Sequence, residues 1–90
     1  MKFLRRFGGR GESAEREAVE YKGFSIVPAP REVQGGWTTE GIIRKTTGEQ
    51  TRSEHFIRAD LLMSEDDAVE YSVTKAKKII DEQGERLFRD

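Results

Sequence analysis

The stretch His55-Phe56-Ile57-Arg58-Ala59-Asp60, followed by Ser64-Glu65-Asp66-Asp67-Ala68-Val69-Glu70-Tyr71 and then Lys77-Lys78-Ile79-Ile80-Asp81-Glu82-Gln83-Gly84, decides the fold. It is a strand that ends in a turn and feeds one amphipathic helix. Ser64 is a good N-cap, and Asp67 three residues later makes a variant of the capping box. Glu65, Asp66 and Asp67 set negative charge at the positive end of the helix dipole. Val69, Val73, Ala76 and Ile80 recur at helical spacing as one apolar stripe, with Ser72 and Ile79 beside it. Gly84 is a natural residue for ending the helix. Leu87 and Phe88 are left to fold back on the core.

Upstream of this segment the pattern changes to that of strands. Tyr21 to Val27 is rich in aromatic and β-branched residues, and Pro28-Ala29-Pro30 stops it, because proline cannot donate to a ladder. Gln34-Gly35-Gly36 signals a turn, and Trp37 to Lys45 reads as a second strand. Thr46-Thr47-Gly48 reads as a three-residue hairpin loop, and a third strand runs from about Gln50 to Ala59. The expected fold is α+β: a three-stranded antiparallel meander packed against one long C-terminal helix, in the order β-β-β-α. With an odd loop, Ile43 shares a face with His55, Ile57 and Ala59, while Ile42 and Phe56 lie on the other face among Glu40, Arg44, Glu54 and Arg58. An even loop flips one strand relative to the other. Either way one helix covers one face, and apolar residues remain on both.

Ninety residues, 34% apolar and 37% charged, bound the chain to one small domain with a thin core. A domain of this size buries only about 60% of its unfolded surface, which suggests a stability near ~5 kcal/mol. The absence of cysteine excludes disulfides and thiolate metal sites and fits a reducing cytoplasm. Residues 1–19 carry five Lys/Arg against three Glu, and residues 64–90 carry five against eight acidic groups. Residues 1–19 read as a flexible basic and glycine-rich leader, its first eighteen residues dispensable for folding, and residues 20–90 as the single domain. Met1-Lys2-Phe3-Leu4-Arg5-Arg6-Phe7 is interrupted by basic residues and fails as a secretory signal. No apolar run approaches the ~18 residues needed to span a bilayer.

Several segments together resemble the small, β-rich bacterial proteins of the HlyU transcriptional activator family. They are Tyr21-Lys22-Gly23-Phe24, Pro28-Ala29-Pro30, Gly41-Ile42-Ile43, His55 to Asp60, Asp67-Ala68-Val69-Glu70, Lys75 to Phe88 and Phe3 to Gly9. The similarity covers nearly the whole chain. It implies a transcription regulator. Winged-helix regulators carry the same name, but this chain has no helix-turn-helix pattern, so their way of reading DNA does not transfer.

The chemistry-bearing residues point away from catalysis. His55 is the only histidine, has no companions at metal-ligand spacing, and reads as a strand residue at the sheet margin. Asp66, Asp67 and Glu70 are explained by capping and the helix dipole. Gly8-Gly9-Arg10-Gly11 follows no strand and lacks the P-loop ending, which makes it a linker. The basic leader with Phe3, Leu4 and Phe7 offers at most weak, salt-sensitive contact with anionic lipid or nucleic acid. No catalytic residue, cofactor or metal is therefore expected.

Two functions fit this sequence. One is a cytoplasmic transcription regulator of the family it resembles. The other is a small interaction module that binds a protein partner, or itself, through the sheet face the helix leaves open. The candidate contact residues are Ile42, Arg44, Phe56 and Arg58. Direct DNA binding is disfavoured, because Glu40 and Glu54 interleave with the arginines and DNA affinity rests on neutralising several phosphates.

Overall fold

The computed structural model describes residues 16–88. The leader up to residue 15, with its glycine-rich linker and its lipid or nucleic-acid reading, lies outside the described residues. Five strands precede the helix: β1 (Val19–Tyr21), β2 (Phe24–Pro28), β3 (Glu32–Val33), β4 (Gly36–Thr47) and β5 (Gln50–Leu62). Helix α1 (Glu65–Gln83) follows and runs into a 3₁₀ segment, Gly84–Phe88. The class is α+β with an antiparallel sheet and one C-terminal helix, as expected, but the sheet has five strands rather than three.

One additional strand comes from a break inside the expected Tyr21–Val27 strand, and the other lies beyond the prolines expected to stop it. At the break, Tyr21 pairs with Phe24, which leaves Lys22 and Gly23 as a two-residue hairpin turn. Both have positive φ, 51° and 84°, the type I′ conformation whose twist matches the strands it joins. Pro28 and Pro30 are both fully buried and interrupt the ladder as foreseen. The chain resumes as β3 along the same partner, β4. β2 and β3 thus share β4 as neighbour, and β5 pairs with β4 over nearly its whole length.

The hairpin between β4 and β5 corrects the register expectation. Thr47 pairs with Gln50, so the loop is the even pair Gly48-Glu49 and not the odd loop 46–48. Gly48 has φ 62° at the first loop position and Glu49 has no positive φ, as in a II′ turn. Ile43 therefore stands opposite Glu54, and Gly41 opposite Phe56. Since directly paired residues share a face, Ile43 and Phe56 lie together under the helix. Ile42, opposite His55, is on the other face with Arg44 and Ile57. The expectation that Ile42 and Phe56 share a face is overturned by one residue of loop length.

Phe24, Ile26, Ile43 and Phe56 from the sheet meet Ala76, Ile79 and Ile80 from the helix in a single core. The helix begins as foreseen: Ser64 is extended and its hydroxyl accepts the Asp67 amide at 3.1 Å. The buried stripe, however, is centred one residue from the expected one. Ala68, Ser72, Ala76, Ile79 and Ile80 are buried, while Val69 and Val73 are half-buried. Three small residues let the helix axis approach the sheet closely. The buried Ser72 hydroxyl is satisfied by the Glu40 amide, which donates to it at 3.1 Å. At the far end the Gly84 amide bonds to the Ile80 carbonyl, and Leu87 and Phe88 fold back onto the core as expected. The Phe88 ring stacks on Phe24 with centroids 6.2 Å apart.

Gly41 is where the sheet is tightest. A Cβ there would sit 2.6 Å from the Val27 carbonyl oxygen and 3.1 Å from the Phe56 ring. No other side chain fits between β2 and Phe56 without a backbone shift.

Candidate functional site

The four residues nominated from sequence do not form one patch. Register puts Ile42 and Arg44 on the face away from the helix. Phe56 is buried in the core at 5% exposure, and Arg58, paired with Thr39, lies on the helix side. Arg44 and Arg58 therefore point to opposite faces. Three other basic side chains near the sheet are occupied, Lys22 by Asp81 at 2.7 Å, Arg16 by Glu65 and Arg31 by Glu40 at 2.8 Å, while Arg52, opposite Lys45, shares the face of Arg58. The Lys45 ammonium lies 4.8 Å above the centre of the Phe24 ring.

The apolar surface sits elsewhere. Ile57 and Leu61 are about half exposed, at 49% and 47%, and Met63 is 87% exposed. Leu61 pairs with Thr38 and Ile57 with Glu40, so both share the face of Ile42 and Arg44. Ala59 and Asp60 are looped out of the ladder between them, because pairing steps from Thr39–Arg58 to Thr38–Leu61. On the helix side, a shallow groove lined by Phe56, Ile57, Ile79, Gln83 and Leu87 runs beside the β5 edge.

One buried polar cluster was not anticipated. Glu40 is 3% exposed in the middle of β4. Its Oε2 accepts from Arg31 Nε at 2.8 Å and from the Thr38 hydroxyl at 2.5 Å, and its Oε1 lies 3.1 Å from His55 Nε2. Thr38 Oγ1 in turn accepts the Arg31 amide at 2.8 Å. Burial pushes the Glu40 carboxyl upward, but the hydrogen bonds from Thr38, Arg31 and His55 together outweigh it and hold it below its usual value. Glu40 is thus a buried, paired carboxylate. The signal in the sequence was a lone acid inside a Thr/Ile/Trp-rich strand, where a charge persists only with partners. The partners could not be foreseen, since Arg31 stands opposite Thr38 and diagonal to Glu40 only because the chain keeps the register of β2 along β4 through the prolines.

Among the described residues no three His, Asp or Glu side chains converge as a metal site. No helix among them is long and apolar enough to cross a membrane. The described sheet carries mixed charge, a half-exposed apolar row and, in β5, a strand paired on one side only.

The sequence model of the family described as "Transcriptional activator HlyU" matches residues 2–88. The chain belongs to the HlyU transcriptional activator family. No curated protein and no solved structure gives a significant match.

Proposed function

We propose that this member of the family is a bacterial, cytoplasmic transcription regulator that acts by binding protein rather than by gripping DNA directly. The observation that carries the reading is the separation of Arg44 and Arg58 onto opposite faces of the sheet. Salt-dependent DNA binding needs several cations on one surface facing successive phosphates. Here Arg16, Lys22 and Arg31 are already paired with carboxylates. The half-exposed row Ile42, Ile57 and Leu61, edged by Arg44, has the character of a protein contact: an apolar centre with a polar rim. In this reading the domain carries out no catalysis and needs no cofactor.

A mobility-shift assay with promoter DNA near physiological salt tests it. No sequence-specific complex is expected at micromolar protein. A tight shift that is lost on Arg44→Ala or Arg58→Ala and falls steeply with salt would overturn the reading and establish direct DNA binding.

A further inference from the structure

β5 is the longest strand, Gln50–Leu62, and among the described residues it pairs with β4 alone. Among the described residues no strand pairs with its outer edge. Thr47–Gln50 closes a two-residue hairpin, and such a closing pair exchanges both backbone hydrogen bonds. By alternation Arg52, Glu54 and Phe56 bond to β4, while Ser53, His55 and Ile57 turn their N–H and C=O groups outward, where the exposed Arg58 guanidinium donates to the Ile57 carbonyl at 3.2 Å and would give way to an incoming strand. An open edge of this kind is a template for another strand.

The side chains along that edge select the strand. We propose that β5 pairs antiparallel with β5 of a second copy of this chain, about a two-fold axis at Phe56, so that the two sheets become one. In this register Glu54 stands opposite Arg58 of the partner subunit, and Arg58 opposite the partner's Glu54. Phe56 meets the partner's Phe56. His55 and Ile57 form the outward-facing pair that exchanges backbone hydrogen bonds. Opposite charges directly across a strand pair stabilise it, and like charges destabilise it.

The neighbouring registers fail on the same criterion. An axis at Glu54 sets that carboxylate against itself. An axis at His55 sets Arg52 against Arg58, and one at Ile57 sets Glu54 against Asp60. An axis at Ser53 avoids like charges but lays Phe56 against Gln50 and Ile57 against Glu49. Only the Phe56 axis joins apolar to apolar and acid to base. Beyond Arg58 the looped-out Ala59 and Asp60 end the regular edge, so the match is confined to Glu54–Arg58. The axis stands perpendicular to the sheet and keeps both helices on one side. The grooves lined by Phe56, Ile79, Gln83 and Leu87 then meet across it.

This pairing is independent of what the regulator contacts, and the full chain tests it by sedimentation equilibrium over micromolar to millimolar protein. The wild type is expected to move from monomer to dimer mass. Glu54→Arg and Arg58→Glu should each weaken dimerisation by about tenfold or more, because both reciprocal pairs become repulsive. The double variant Glu54→Arg/Arg58→Glu should restore it. An equimolar mixture of the two single variants should form a heterodimer, since one then carries two arginines and the other two glutamates. Both positions are exposed, and far-UV circular dichroism checks that the variants keep the fold. A wild type that stays monomeric throughout overturns the proposal and leaves the edge to a strand of another protein. So does a dimer indifferent to these substitutions, which would place self-association on another surface.

Discussion

β2 and β5 flank the same strand, yet they are held in different ways. β2 has five residues, of which all but Ser25 are buried, and the helix covers its inner side. β5 has thirteen, of which only Phe56 is buried. β2 is fixed by packing; β5 is fixed by its ladder to β4 and by one aromatic side chain. The lesson is that stability and available surface are separated within one small sheet. Substitutions near β2 and under the helix should act on folding, and most of those along β5 on association.

The sharpest way to break that contrast is at the one buried position of β5. Phe56→Ala is expected to lose about 3–5 kcal/mol, enough to unfold a domain of this size, whereas Ile57→Ala, one residue on and half exposed, should lose under about 1 kcal/mol. Urea unfolding monitored by Trp37 fluorescence measures both. Equal losses would mean that β5 is packed on both faces.

Gly41→Ala probes the seam between β2 and Phe56. The added methyl meets the Val27 carbonyl oxygen at 2.6 Å, so the backbone must move. A loss of about 1–3 kcal/mol is expected from this overpacking. An unchanged denaturation midpoint would show that the strands can separate there at no cost.

Glu40 ties the two sides together, since Arg31 forms an ion pair with it from the β2–β3 connection and His55 lies within hydrogen-bond distance from β5. Its carboxyl is held below the usual value in the fold. Its stability contribution is therefore fully present above the ordinary glutamate value of about 4.3 and is lost as pH falls through the lower folded value. Glu40→Gln should cost about 1–2 kcal/mol near neutral pH, the lower part of the range for bonds to charged groups, because Arg31 and His55 are partly solvated. The difference from wild type should shrink as pH falls below the ordinary glutamate value of about 4.3. A difference that is constant with pH would assign the loss to packing instead of charge. The smallest effect belongs to the helix start, away from both strands: Ser64→Ala should cost about 1 kcal/mol.

Local features were the legible ones. Ser64, the acidic first turn, Gly84 and the return of Leu87 and Phe88 each depend on residues within a turn or two of one another, and each stands where the pattern put it. Errors entered where one residue of length changed a long-range relation. Lys22-Gly23 looked like part of a strand, because lysine seldom takes the left-handed conformation that a I′ turn demands at that position. Gly48 signalled a hairpin but not whether its loop was odd or even, and that parity decides which of Ile42 and Phe56 is core. The helix stripe was shifted because apolarity was scored and size was not. Valines outrank Ala68 and Ser72 on any hydrophobicity scale, but small residues allow the closer approach. Of the candidate contact residues, Ile42 and Arg44 remain together on one face, while Phe56 and Arg58 are separated from them by the thickness of the sheet.

The proline-flanked gap after β2 has a consequence for how large an assembly can grow. A sheet extendable along both margins would add copy after copy into a filament. Here the margin opposite β5 is the three-residue strand β1, whose Val19 and Tyr21 are packed against the core. Further along that side, Pro28 and Pro30 carry no N–H with which an incoming strand could register. Among the described residues, growth along that side has only the short β1 edge to offer. Joining two such molecules through β5 would consume the longer margin that the described residues leave to each, which favours a closed pair over a filament.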